Sequence, residues 1–564
     1  MSDKKTEAAP IPIMDIRSSN DSLLFHWAAA LLILSVGLLV NWSGLVAPGM
    51  WWTDESRHAM HGAFFVDFLR DWPLGAPYDY VQRYFAQYPA LAFNWYLPFF
   101  PVFMGLVMNT FGVSEVSAHA TIIGVWLVGV VAWYAWLAPR YGSGTALAAC
   151  LALLCMPVVV LWSRSIMLEA PAVAMCALGV YFFQRYLDRP GHATAIIAGL
   201  VLFATLMVKQ TTLFILPVLL VYALSFQQGR EALWRKEAGW GVVAIVLALL
   251  IIAAHALLFG PEAVMSGETH AGSGAAELWS WDRWGLYGKS IYLAIGPLIA
   301  LLAVLGLVLA VYRLDHYTNL LPIAWLAAAY VWCTYLTGVP SNNARYALYV
   351  MPAVAFFSAY GIWHFQARPV LRWTWALVLL VAIGWHVSDA LRTPHRYVSG
   401  YDTAARFVYG LPNSGAILFA GKHDGNFIFH LRNLDRGRQR VVLRGDKTLV
   451  DMSVHKYFGV RSHVTNAAGV QSLLNDHAVR WIVVESRDLV GLKEFRMLNE
   501  ILDGPGYRLL ARFPVATNVP EFEGVDVLVY ENLGLVLPPD RRVQIAYPYL
   551  GKSYEFTFSD RRER

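Results

Sequence analysis

The sequence predicts a polytopic α-helical membrane protein with a C-terminal α/β domain, and three observations carry that prediction. Of its 564 residues, 57% are hydrophobic and 15% charged, against about 45–50% and 25% in an ordinary soluble chain. Apolar runs follow one another from residue 23 to residue 388. The charge is concentrated behind them: of 44 basic and 39 acidic residues, 22 and 19 fall in positions 397–564. This composition excludes a disordered chain, a coiled coil and a conventional cytosolic enzyme. A net charge of +5 is too mild to suggest nucleic acid as a partner.

A spanning helix needs about 20 mostly apolar residues. Runs that meet or approach this lie near 23–45, 117–137, 144–162, 171–187, 191–207, 211–226, 238–258, 291–311, 318–337, 345–364 and 370–388. They give about eleven spans, thirteen at most. The first run follows Lys4, Lys5 and Arg17 and is longer than the apolar part of a signal peptide, so it reads as a retained anchor.

Loop charges set the orientation. With residues 1–22 in the cytoplasm, the inside loops hold Arg140, then Arg185 and Arg189, then Arg230, Arg235 and Lys236, and later Arg313, Arg368 and Arg372. The alternate loops then lie outside, as does the C-terminal domain. Residues 46–116 form the first outer loop. Within it, 91–111 is apolar but holds Pro98 and Pro101, and counting it as a span would invert the charge bias of every later loop. It reads as an interfacial or re-entrant helix. The membrane domain therefore covers 23–390.

Residues 391–564 alternate in character. Strands are predicted at 416–420, 440–444, 481–485, 507–513 and 525–530, with helices near 424–434, 466–478 and 490–502, which is the pattern of a small α/β domain. It holds no glycine-rich phosphate loop and no nucleophile elbow. Cys150, Cys155, Cys176 and Cys333 all lie in apolar runs, which argues against a disulfide framework or a zinc site built on cysteine.

The chemistry is sought where charge meets the outer membrane surface. Asp54 and Glu55 follow the first span, in company with Trp51, Trp52, Arg57, His58 and His61. A helix start capped by Thr53 accounts for two acids equally well. Arg164 and Glu169 share the next outer loop, SRSIMLEAP, where a snorkelling arginine and a first-turn glutamate are the ordinary explanation. Lys209 in VKQTT and Arg345 in SNNARY sit on the outer side against the positive-inside bias. Arg164, Lys209 and Arg345 together suit a phosphate, since arginine offers a bidentate fork and lysine a point charge. The loop 260–289, with Glu268 and His270, reads as a lid over a membrane-facing site.

YPALAFNWYLPFF, FGVSE, SRSIMLEAP, VKQTTLFILP and NNARYALYVMPA occur in this order after the acidic pair. Together they resemble the polyprenyl-phosphate-sugar-dependent glycosyltransferases of the C-type membrane fold (GT-C), in particular their protein-mannosyltransferase-like and aminoarabinose-transferase-like groups. The resemblance covers residues 20–390; the tail matches it only in placement. It implies an inverting transfer of a hexosyl or pentosyl group from a polyprenyl-phosphate carrier to a lipid, glycan or protein acceptor, on the outer face of a bacterial inner membrane. It assigns the catalytic base to Asp54, with Glu55 as its neighbour and Glu169 as the acid of the second outer loop. The donor phosphate falls to Arg57, Arg83, Arg164, Lys209 and Arg345, and the substrate lining to His58, Tyr88, Gln210, Tyr346 and His270. Where relatives carry Lys-Pro-Pro-Leu this chain has Tyr88-Pro89-Ala90-Leu91, so Arg83, Lys209 or Arg345 stands in for that cation. No cofactor is required; a divalent cation at Asp54 and Glu169 is the alternative. The rival readings are a polytopic transporter, which would show internal repeats and midplane charges, and a non-catalytic envelope-assembly subunit.

Overall fold

The computed structural model describes residues 20–46, 49–93, 95–271, 281–336, 344–452, 460–547 and 550–559, with the side chains of 259–271 and a few others left aside. The membrane domain runs through α1 (Asn20–Val46), α2 (Thr53–Asp71), α3 (Pro77–Gln87), α4 (Phe99–Phe111), α5 (Glu115–Tyr141), α6 (Ser143–Cys155), α7 (Pro157–Ser163), α8 (Glu169–Asp188), α9 (His192–Val208), α10 (Ile215–Leu224), α11 (Gln227–Leu233) and α12 (Ala238–Ala271). Helices Trp281–Ile295, Pro297–Tyr312, Leu320–Leu336, Met351–His364 and Pro369–Arg392 complete it.

Among the described residues five helices are long and apolar enough to cross a membrane, or up to eight if each bent pair makes one span. That is fewer than the eleven runs in the sequence. Three of those runs are broken rather than straight. The run 144–162 bends by 66° between α6 and α7, where Pro157 cannot donate to the preceding turn. The run 291–311 turns by 116° at Gly296-Pro297, and 211–226 begins as a 3-10 helix, Gln210–Phe214, and turns by 119° before α11. Apolar composition measures how much side chain seeks lipid or core; it does not report breaks. The chain is a multi-pass membrane protein all the same. Leu23, Trp27 and Leu31 of α1 and Val243, Leu247 and Leu250 of α12 stand exposed, as expected of faces turned to lipid.

The interior is built by close helix contact. A side chain added at Gly129 of α5 would meet the Ala174 Cα of α8 at 2.3 Å, so only a glycine lets these backbones approach. Around them Trp133 stacks on Trp136 with ring centroids 5.1 Å apart, and Trp325 packs against Trp133 at 5.4 Å.

The stretch 46–116 contains no span among its described residues: α2 and α3 are rich in charged and polar residues, and α4 has 13 residues, about 20 Å of helix. The C-terminal part folds as predicted around a five-stranded mixed sheet. From one edge to the other its strands are Val442–Arg444, Ala416–Ala420, Val479–Glu485, Asp526–Asn532 and Tyr507–Pro514. The first three run parallel, whereas Asp526–Asn532 is antiparallel to both of its neighbours. Helices Asp424–Leu434 and Ala467–Asp476 supply the crossovers.

This sheet domain is docked on α2 and α3 through charge. Arg57 binds Asp424 at 2.9 Å, Arg432 binds Asp67 at 2.9 Å, and the Tyr88 hydroxyl donates to Asp435 at 2.6 Å. Arg444 donates to the Pro89 carbonyl at 3.0 Å, and the Asn426 amide to that of Met50 at 2.8 Å. Burying a polar group without a partner is costly, so these contacts fix the segment after α1 against the sheet domain.

Candidate active site

Four helix ends and breaks converge beneath that interface. Asp54 lies in the first turn of α2 and Glu169 begins α8. Lys209 takes the extended link between α9 and the following 3-10 helix, where the Thr212 hydroxyl donates back to its carbonyl at 2.9 Å. Arg345 lies in the 3-10 helix Ala344–Val350. Helix ends leave backbone groups without intrahelical partners.

The four side chains form one ion cluster. Arg345 Nη1 contacts Asp54 Oδ2 at 2.8 Å, its Nε lies 3.3 Å from Glu169 Oε1, and Lys209 Nζ lies 2.6 Å from that same oxygen. Glu169 is fully buried, while Asp54 keeps 28% of its side-chain surface exposed, so Asp54 is the carboxylate that faces outward. Tyr346 spreads its ring 5.2 Å from Arg345 and 5.6 Å from Lys209. Burial alone would raise the Asp54 carboxyl, but Arg345, then His58 and Arg57, outweigh it and hold it at about 2. His58 is pushed down to about 4 by burial, so it is neutral at physiological pH and adds its charge to the cluster only in acid, where Asp54 titrates. The cluster is balanced, with two carboxylates and two cations.

Of the residues expected from the sequence, Asp54, Glu169, Lys209, Arg345, His58 and Tyr346 come together here. The others do not. Glu55 accepts the backbone amides of Trp51, Trp52 and Ile166 at 3.2, 3.0 and 2.8 Å, fixing the start of α2 to the loop before α8 rather than facing Arg345. Its burial pushes the carboxyl up to about 8. Arg164 spends its guanidinium on the carbonyls of Val40 within α1, and of Ala390 and Thr393 at the end of helix Pro369–Arg392, the latter two being helix-end groups. Arg57 and Tyr88 are engaged in holding the sheet domain. Arg83 is exposed on α3, Gln210 is half-buried beside Lys209 and stands outside the ion cluster, and the His270 side chain lies outside the described residues. The span 260–289 expected as a lid is helical where it is described, through Ala271 and from Trp281; residues 272–280 lie outside. As for a cation between Asp54 and Glu169, the Arg345 guanidinium already lies between them.

Tyr96 joins the site without having been expected there. Its ring lies 4.5 Å from His58 and 5.9 Å from Lys209, closing the cluster on the side of the first outer loop. His61 accepts the Ala92 amide at 2.7 Å and stacks on Phe93, which sets the turn that delivers Tyr96. In the sequence only the density of aromatics in 93–100 points this way.

A family profile described as dolichyl-phosphate-mannose-protein mannosyltransferase matches residues 97–257. No curated protein sequence matches the chain. Among solved structures, ArnT from Cupriavidus metallidurans in the apo state superposes with a TM-score of 0.53 at 14% identity, over 91% of this chain and 99% of that one. The archaeal oligosaccharyltransferase AglB from Archaeoglobus fulgidus, in complex with an inhibitory peptide and a dolichol-phosphate, gives 0.52 at 12%, over 83% and 70%. The arabinofuranosyltransferase AftD from Mycobacteria gives 0.51 at 14%, over 91% of this chain and 40% of that one. The chain therefore has the GT-C fold and resembles its protein-mannosyltransferase-like and ArnT-like members.

Proposed function

We propose that the protein is an inverting glycosyltransferase that moves a sugar from a polyprenyl-phosphate carrier to an acceptor hydroxyl or amine at the outer surface of a bacterial inner membrane. One observation carries the reading: an outward-facing carboxylate, Asp54, shares its arginine with a buried carboxylate that also holds a lysine. A structure of ArnT bound to undecaprenyl phosphate superposes at a TM-score of 0.50, which supports a lipid phosphate as the carrier.

The balanced charge of the cluster suggests how the donor enters. An incoming phosphodiester adds one negative charge, and Arg345 is the cation able to turn toward it because it touches the exposed Asp54 as well as Glu169. Glu169 keeps Lys209 and the Arg345 root in place. As Arg345 turns, Asp54 loses the partner that depresses its pKa, and burial lifts that pKa toward a more basic carboxylate. Asp54 then accepts the acceptor proton as the nucleophile attacks the anomeric carbon, a general-base contribution of about 10²–10⁴ in rate. Arg345 and Lys209 stabilise the phosphate as the C–O bond breaks and its charge grows. Attack without an enzyme nucleophile inverts the anomeric centre, by the geometry that separates inverting from retaining glycosidases.

The test is reconstitution in liposomes with polyprenyl-phosphate sugars, followed by NMR of the anomeric proton in the product. Transfer with inversion is expected. Retention, or donor translocation without transfer, would overturn the proposal.

A further inference from the structure

A second buried cluster lies behind the first and takes no part in the chemistry above. Glu55 of α2, His119 near the start of α5 and His395, just beyond helix Pro369–Arg392, are 0%, 1% and 2% exposed. Each presents a ligating atom, and these atoms all lie within 4.8 Å of one another. The two imidazoles meet edge to face with centroids 5.3 Å apart. Among the described residues none of their four ring nitrogens makes a hydrogen bond; the Arg164 backbone lies beside His119 without reaching bonding geometry. Two imidazoles buried this deeply without partners are costly, and burial holds His395 neutral, at about 2.

We propose that Glu55, His119 and His395 bind a transition-metal dication of the zinc class. Two histidines and one carboxylate form a set used for zinc, with the ligand atoms about 2.0–2.2 Å from the metal. In tetrahedral geometry that places the atoms roughly 3.4 Å apart, so the observed trio closes by at most about 1.4 Å through side-chain rotation. The outer contacts are built. The Trp51, Trp52 and Ile166 amides orient the Glu55 carboxylate, as the partners of metal ligands do. Glu115, which accepts the Gly49 amide at 2.6 Å and lies 3.1 Å from His430 of the sheet domain, adds negative charge beside the trio. The nearby Arg164 guanidinium is spent on carbonyls. The metal would pin three separate pieces: the start of α2 one residue from Asp54, the outer end of α5, and the link from the last membrane helix to the sheet domain. Its role is structural, and it does not depend on the glycosyl-transfer reading.

The test is metal analysis of the full-length protein purified in detergent without chelators. About one zinc per chain is expected. Chelator-treated protein should take up Co²⁺ with visible d–d absorption and regain thermal stability on adding Zn²⁺. His119→Gln and His395→Gln should each weaken uptake by more than the 10–100-fold typical of losing an outer contact, whereas Asp54→Asn should retain the metal. Wild-type protein that binds neither zinc nor cobalt overturns the proposal, and this measurement stands even if the histidine variants fail to fold. Uptake unchanged in both histidine variants, or lost in Asp54→Asn, overturns it equally.

Discussion

Arg345→Lys isolates what a fork does that a point charge cannot. The Arg345 guanidinium reaches Asp54 at 2.8 Å and Glu169 at 3.3 Å in one geometry, with 14% of its side chain exposed. A lysine ammonium keeps the charge but holds at most one of these partners while meeting a phosphate. The loss is one charge-assisted hydrogen bond, about 1.5–3 kcal/mol, which converts to a drop of roughly 10–150-fold in affinity or in kcat/KM. The assay is titration of polyprenyl phosphate against detergent-solubilised protein by intrinsic tryptophan fluorescence, together with transfer kinetics. Arg345→Met carries a second signature. Asp54 is held at about 2 against the upward push of burial, with Arg345 the largest lowering influence. Its removal should move the acid limb of kcat/KM upward in pH, because the base protonates earlier. Unchanged lipid-phosphate affinity in Arg345→Lys, with an unshifted acid limb in Arg345→Met, would refute the assignment of Arg345 to the donor.

Other substitutions probe the frame. Arg164→Met should lower stability by roughly 3 kcal/mol or more, because the Val40, Ala390 and Thr393 carbonyls lose their donor; thermal unfolding should show this while the folded fraction binds lipid phosphate normally. Asp424→Asn removes one charged partner from each of Arg57 and Arg444, and limited proteolysis should then cut the link near 393–400 faster. Burial raises Asp424, yet Arg444 and Arg57 outweigh it and its pKa is lowered. Its stabilising contribution is therefore present above the ordinary aspartate value near 3.9 and lost as pH falls below it, so melting temperatures of wild type and Asp424→Asn should converge in acid. Gly129→Val should prevent assembly of α5 on α8, given the 2.3 Å approach to Ala174, and appear as lost expression.

Much of this is legible in the chain. The five predicted strands of the tail are the five strands of its sheet, because short apolar runs between turn residues leave little alternative. Asp54, Glu169, Lys209 and Arg345 draw notice because charge at the ends of apolar runs needs an explanation, above all the two cations that the expected topology sets against the positive-inside bias. Arg164 satisfies the same criterion, yet the structure spends it elsewhere. Its partners lie 124 to 229 residues away, and nothing local marks an arginine whose fork is reserved for backbone carbonyls of distant helices. Adjacency pairs Glu55 with Asp54, yet adjacent residues in a first helical turn point about 100° apart, which sends the two carboxylates to different clusters. His119 passes as one residue of an apolar helix, and its neighbour His395 lies in the link to another domain. The breaks at Pro157 and Gly296-Pro297 reduce the spans for a similar reason: the prolines are visible, but whether a helix bends or ends there is decided by what packs around it.

That Asp54 is the base of a glycosyl transfer is tested most directly by Asp54→Asn, with transfer rate and lipid-phosphate affinity measured on the same preparation. A fall in kcat of about 10²–10⁴ is expected, with affinity kept or tightened because Arg345 is freed from its outer partner. Turnover within a few-fold of wild type would contradict the assignment.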